Sequence, residues 1–331
     1  MTTEIYKICE SSLKLSKDII LSGGAVAFPT ETVYGLGANA FDTAAVENVF
    51  IIKGRPNDNP LIVHVHRDYD ILKLVSFVPE YAKRLAEKFL PGPLTMVYKS
   101  RGLVSSAVSC GLDTVAIRIP SHRGAQEFLR YLDLPIAAPS ANISRHVSPV
   151  TAEHVYSDLN GKIQVILDGG KCAGGIESTV LDCTGEKPVI LRSGLVTREM
   201  ITETVGECGV YIPVEGEKIR SPGMKYKHYS PNCRTMLFSF DERDKAVSEY
   251  ERCKKNGETP YIMCDNETAK LITVENVLML GETEEEIASN LYLKLREGER
   301  KAKVIIAVSP EKQDGVMSGV MNRLTKACGN Q

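Results

Sequence analysis

The sequence predicts an α/β protein: a twisted mixed sheet with helices, then a small Rossmann-like C-terminal α/β domain. Three observations predict it. Over the first part of the chain, short runs with strand character, such as 94-LTMVYK-99, outnumber helical stretches and do not alternate with them one for one. That pattern favours a mixed sheet over strict βαβ winding. A stretch with little periodicity, rich in Gly, Pro and basic residues, then interrupts at 213–231. Beyond it, strands and helices alternate regularly. The expected organisation is a first domain over 1–210, a linker over 211–232 and a second domain over 233–331.

The elements follow in order. Residues 12–22 read as a helix leading into the strand 25-AVAF-28. In 42-DTAAVENVFII-52, Asp42 can cap a helix whose apolar side is Ala45, Val46, Val49, Phe50 and Ile52. A polar loop, 53-KGRPNDNP-60, precedes the strand 61-LIVHV-65. Residues 80–89 read as a helix stopped by 91-PGP-93, and strands follow at 94–99 and 114–120. A helix at 124–132 leads to 135-PIAAPSAN-142. Next come a helix at 151–159, a strand over 163–170 ending in a glycine turn, strands at 178–182 and 188–192, and a helix near 197–205. The second domain reads as strands at 235–240, 260–264, 275–280 and 302–308 among helices near 242–255, 283–297 and 317–327.

Composition narrows the function. With 331 residues, 43% apolar and 25% charged, the chain can build real cores. A formal charge of −2 and a pI near 6.4 are unlike the basic excess of a dedicated nucleic-acid binder. The nine cysteines form no CxxC pair, which argues against a disulfide framework or a zinc site and fits reduced thiols in the cytosol. The N-terminus lacks the apolar core of a signal peptide, and no apolar run approaches the ~20 residues of a membrane span.

Polar groups cluster at strand ends. The segment 28-FPTETVYGLG-37 offers the hydroxyls of Thr30 and Thr32, and its glycines, Gly35 and Gly37, are expected to let the chain turn away tightly. It is neither a P-loop nor a dinucleotide fingerprint. Lys53 and Arg55 lie two apart in a loop, where a point charge and a planar fork can clamp a polyphosphate or form a solvated basic turn. His64 interrupts an apolar strand, as a core histidine or as a ligand group. Arg118, inside a strand, needs a partner if buried: a substrate carboxylate, or a structural acid such as Asp113. Ser140, Asn142, Ser144 and Ser148 follow an apolar strand, and Ser178, Thr179 and Arg192 flank two more. Short side chains of this kind bond a nucleotide or cap turns. No Ser-His-Asp arrangement or zinc set emerges. The pattern suits a site that works by positioning and charge.

Together these segments resemble the Sua5/YrdC/YwlC family of L-threonylcarbamoyladenylate synthases. The resemblance rests on FPTETVYGLG, the KxR pair followed by NPL and H, the strand with Arg118, PSAN, and GGKCAGGIESTV followed by LRSG, in that order over roughly residues 12–205. It continues through 221-SPGMKYKHYSP-231 to 319-GVMNRLTKA-327, as in the two-domain Sua5 form. The resemblance implies a YrdC-like catalytic domain, a lid-like linker and a Sua5 C-terminal domain. It implies an enzyme that makes threonylcarbamoyl-AMP from L-threonine, bicarbonate and ATP, with Mg²⁺ on the phosphates and release of pyrophosphate. The product would pass to a TsaD-type transferase complex for N6-threonylcarbamoylation of adenosine 37 in ANN-decoding tRNAs, with no stable tRNA binding by this chain. It further implies that Thr30, His64, Arg118 and Ser178 hold threonine. Lys53 and Arg55 would clamp the triphosphate and carry the catalysis, beside Asn57. Thr114, Ser140, Asn142, Ser148, Arg192 and Tyr226 would serve the nucleotide. Glu31 becomes an orienter or structural partner away from ATP. Cys110 and Cys172 receive no chemical role and read as space-filling thiols. Hydrogenase-maturation enzymes share this fold type but carry zinc-finger segments, and the CxxC pairs are missing here.

Overall fold

A computed structural model describes residues 1–212 and 229–329. Tyr226 and residues 213–228 of the expected linker lie outside the described residues. Two compact units emerge. Within the described residues, one holds 1–144, 149–173 and 177–212, and the other 145–148, 174–176 and 229–329.

The strands of the first unit are β1 (Glu4–Lys7), β2 (Val26–Phe28), β3 (Gly35–Asn39), β4 (Ile62–His64), β5 (Leu94–Lys99), β6 (Thr114–Arg118), β7 (Ile136–Ala138), β8 (Val165–Asp168), β9 (Thr179–Asp182), β10 (Val189–Arg192) and β11 (Gly209–Val210). They form one sheet in the order β1-β8-β2-β3-β7-β4-β6-β5-β9-β10-β11. Parallel pairs such as β4–β6 and β5–β9 mix with antiparallel pairs such as β4–β7 and β5–β6. The expected mixed sheet is therefore present.

Strand alternation divides the two faces of the sheet. Val63, Met96, Tyr98, Val115, Ile117 and Leu181 point into one core with Val46 and Phe50 of the helix Thr43–Lys53, Leu85 of Glu80–Phe89 and Ile201 of Arg198–Val205. Their neighbours Ile62, Val97, Ala116 and Val180 belong to a separate small apolar cluster with Leu191 and, partly buried, Tyr211. A third core joins Phe28, Ile136 and Leu167 to the helices Glu10–Leu21 and Arg123–Leu132. Period-2 patterning thus reserves one side of the central strands for helix packing and leaves the other for different contacts.

The helix Thr43–Lys53 starts where the sequence predicts. Asp42 accepts a hydrogen bond from Ala45 N at its N-cap. It ends at Gly54 with φ near 60°, a left-handed cap that suits glycine and sends the chain toward Arg55.

The glycines of FPTETVYGLG require a correction. Gly35 and Gly37 do not turn the chain; they lie within β3, antiparallel to β2. The reason is close packing. A Cβ at Gly37 would sit 2.5 Å from Ile136 Cγ2 and 2.9 Å from Phe28 Cε1. The turn falls earlier, where the Thr30 hydroxyl accepts from Thr32 N and Val33 N. The strand β1, which pairs with β8, also escapes sequence reading because it is largely exposed and shows no apolar alternation.

The second unit is built on β12 (Arg234–Phe238), β13 (Pro260–Cys264), β14 (Val277–Met279) and β15 (Val304–Val308), all parallel, in the order β12-β15-β13-β14. Its longest helix, Glu284–Lys301, begins with a capping box between Thr283 and Glu286. Along that helix Glu299 pairs with His146 at 2.8 Å and accepts from Asn232 N at 2.9 Å.

A prediction follows from the glycine packing. Gly37→Ala should cost about 1–3 kcal/mol in urea denaturation through overpacking against Phe28 and Ile136. Phe28→Leu in the same chain should recover part of the loss. Wild-type stability in Gly37→Ala would contradict the packing account.

Candidate active site

Register assembles the first polar group. Arg118 on β6 lies level with His64 on β4 and with Thr95 on β5. The three residues form one lateral row on the face opposite the helix core that holds Val63, Met96 and Ile117. All three are buried, at 4% exposure for His64 and Arg118 and none for Thr95.

Each member has a defined partner. Thr95 Oγ1 lies 2.8 Å from Ser178 Oγ, just before β9. Arg192 reaches the same serine, with Nε and Nη2 donating to Ser178 O at 3.1 and 2.9 Å. His64 packs edge-on against Phe28, and its Nδ1 lies 3.1 Å from Ile62 O, which fixes Nδ1 as the protonated nitrogen. Burial first, then the positive charge of Arg118, hold His64 down to about 3, so it is a neutral imidazole at ordinary pH.

Arg118 does not pair with Asp113. Asp113 binds Lys99 at 2.6 Å near the other end of β6. The acid beside Arg118 is Glu31, 2.9 Å from Nη2, and Thr30 Oγ1 lies 3.5 Å from the same nitrogen. The sequence suggests Glu31 as an orienter or structural partner without naming what it pairs with, and the structure supplies Arg118.

The second group centres on Lys53. It is buried, and its ammonium donates to Ser140 O and Asn142 O at 2.5 Å each and contacts Asn142 Oδ1 at 3.3 Å. The PSAN loop is thus tied to the last residue of a helix, which its sequence position hides. The same loop is joined to FPTETVYGLG. Ala141 N donates to Tyr34 O at 2.8 Å, and Leu36 N to Pro139 O at 2.9 Å. Contacts therefore run from Arg118 through Thr30 and its own segment to Ser140, Asn142 and Lys53.

The remaining candidates are less concentrated. Arg55 donates to Asn59 O at 2.8 Å and lies over the Phe50 ring. Asn57 is exposed, with Cys110 Sγ 3.4 Å from its Oδ1. Thr114, half-buried, begins the strand that Arg118 ends. Ser148 is buried and belongs to the second unit. Cys172 lies beside Thr30 and Glu31, and burial pushes its thiol up to about 12. A thiol held there stays protonated at neutral pH, as a space-filling role requires. Burial also raises Cys110.

This fold, a mixed sheet with a row of buried polar side chains on one face, defines the class as an α/β protein. Residues 18–194 match the Sua5/YciO/YrdC family, described as "Telomere recombination", and residues 196–329 match "Threonylcarbamoyl-AMP synthase, C-terminal domain". The threonylcarbamoyl-AMP synthase of Pyrococcus abyssi is 41% identical over 330 residues, covering 98% of this chain and 96% of the relative. That of Bacillus subtilis is 43% identical over 315 residues, covering 92% and 90%. The crystal structure of P. abyssi Sua5 complexed with L-threonine superposes with a TM-score of 0.90 at 40% identity, covering 99% of this chain and 97% of that one. The chain belongs to the Sua5/YrdC/YwlC family of L-threonylcarbamoyladenylate synthases, in its two-domain Sua5 form.

The neutral His64 has a pH consequence. The unfolded state takes up a proton near the ordinary imidazole value of 6.5, whereas the folded state resists until about 3. Stability from this group is therefore complete above pH 6.5 and falls as the pH drops toward 3. The slope should reach about 1.4 kcal/mol per pH unit. His64→Asn should lack this component when urea denaturation is compared across that window. Equal slopes for both proteins would contradict a buried neutral imidazole.

Proposed function

We propose that the first unit condenses L-threonine, bicarbonate and ATP into L-threonylcarbamoyladenylate with release of pyrophosphate. The observation that carries this reading is the lateral row of His64, Arg118 and Thr95, linked to Ser178. A buried guanidinium in a row of neutral donors and acceptors suits the carboxylate of a small polar amino acid. In this reading Arg118 takes the threonine carboxylate, and Thr30, His64 and Ser178 line the same subsite. The L-threonine complex of the P. abyssi relative supports the choice of amino acid.

Lys53 and Arg55 serve the triphosphate, with Asn57 beside them. Ser140, Asn142, Arg192 and Thr114 of this unit serve the rest of the nucleotide. The threonine amine and bicarbonate give a carbamate with loss of water, and the carbamate oxygen attacks the α-phosphorus as pyrophosphate leaves; activation of bicarbonate before capture by the amine, again with loss of water, is the other order. Transfer at phosphorus asks chiefly for alignment and for charge near the phosphates. Among the described residues no group of three or more His, Cys, Asp or Glu stands together to hold a metal. Mg²⁺ would enter on the phosphates, adding positive charge there, as is usual for nucleotide-bound magnesium.

The mixed anhydride is prone to hydrolysis, so exclusion of water is an advantage. The domain roles follow from this: a catalytic domain over 1–210, a lid-like linker over 211–232 and an accessory domain over 233–331. The product would go to a TsaD-type transferase complex that modifies adenosine 37 of ANN-decoding tRNAs in the cytoplasm, with no stable tRNA binding by this chain. Among the described residues no helix is long and apolar enough to cross a membrane.

The test is direct. Protein, ATP, L-threonine and bicarbonate should yield pyrophosphate and threonylcarbamoyl-AMP by mass spectrometry. Pyrophosphate no higher than in a control without threonine would refute the reading. Arg118→Ala should lower kcat/KM for threonine by roughly 10- to 150-fold, the size of a lost charged hydrogen bond, with a smaller effect on KM for ATP. Lys53→Ala and Arg55→Ala should show the reverse preference. Wild-type kinetics in all three would remove the residue assignments.

A further inference from the structure

The function proposed above uses Arg118 and leaves its neighbour Glu31 without a task. Glu31 is firmly placed. Its Oε1 lies 2.9 Å from Arg118 Nη2, with the two side chains 13% and 4% exposed. Its Oε2 accepts the main-chain N–H of Ser121 at 3.1 Å. The carboxylate is thus anchored by the backbone just beyond β6 and by the arginine at the end of that strand.

The pair is not saturated. Among the described residues Arg118 Nε is a buried donor with no hydrogen-bond partner, and Glu31 Oε1, although in ionic contact with the guanidinium, accepts no aligned hydrogen bond. Buried polar atoms are nearly always satisfied. An unsatisfied donor beside an unsatisfied acceptor points to a ligand that carries both an acceptor and a donor.

Charge gives the same answer. Arg118 and Glu31 together are close to neutral. A simple anion drawn to Arg118 would also meet the Glu31 carboxylate and be repelled by it. A zwitterion escapes that conflict, because its carboxylate faces the guanidinium while its ammonium faces the carboxylate. The adjacent row adds no competing charge, since His64 is neutral and Thr95 is a hydroxyl.

We propose that Glu31 is a specificity-determining residue: its Oε1 receives the α-ammonium of the amino acid whose α-carboxylate is held by Arg118. The dyad then selects α-amino acids over 2-hydroxy acids, independently of any recognition of the side-chain hydroxyl. This inference rests on the assignment of the Arg118 subsite to threonine.

Calorimetric titration of the full-length protein with L-threonine and with its 2-hydroxy analogue, 2,3-dihydroxybutanoate, tests the inference. Wild type should favour threonine at least tenfold. Glu31→Gln, nearly isosteric, should lose roughly 10- to 100-fold in threonine affinity and keep or improve its affinity for the analogue, because the repulsive carboxylate is gone. Glu31→Asp should retain part of the preference. ATP binding should persist in both variants and reports an intact fold. Equal losses for the two ligands, unchanged threonine affinity, or loss of ATP binding in both variants would each overturn the role of Glu31. A wild-type protein that binds ATP but not threonine would overturn the threonine assignment of the Arg118 subsite, and this inference with it.

Discussion

The register of β6 is the constraint on which the rest of the first unit depends. Val115 and Ile117 of that strand enter the helix-packed core, and Ala116 and Arg118 face the other way. Side chains of a strand alternate with a period of two, so a slip of one residue would drive Arg118 among leucines and valines and expose the core pair. That penalty locks Arg118 level with His64 and Thr95. The same hydrophobic contacts that stabilise the sheet therefore aim its polar row.

Three cations of the first unit, Lys53, Arg118 and Arg192, are buried among polar partners. Lys53 and Arg192 donate to main-chain carbonyls, those of Ser140 and Asn142 for one and that of Ser178 for the other. Arg118 sits against a carboxylate, Glu31. Burial of a lone charge is costly, and these pairings explain how each cation persists in a packed interior.

Much of the fold was legible in the sequence because its signals are local. The Asp42 cap, the helix Glu80–Phe89 ended by the proline turn, and the strand 94-LTMVYK-99 all lie where patterning put them. What escaped depends on distant neighbours. Gly35 and Gly37 read as turn residues because the Phe28 ring and Ile136 that exclude their side chains are apparent only once β2, β3 and β7 are aligned. Glu31 was separated from Arg118 by 87 positions, so no spacing rule could pair them. Lys53 looked like a loop cation and proved to be a buried helix terminus stitched to the PSAN loop. The expected threonine group of Thr30, His64, Arg118 and Ser178 came from whole motifs rather than from single residues.

A crystal structure of the chain with L-threonine and a non-hydrolysable ATP analogue tests the central claim most directly. The account predicts the threonine carboxylate within hydrogen-bonding distance of Arg118, in the row with His64 and Thr95, and the triphosphate between Lys53 and Arg55. Threonine bound on another face of the sheet, with the Arg118 row unchanged and empty, would contradict it.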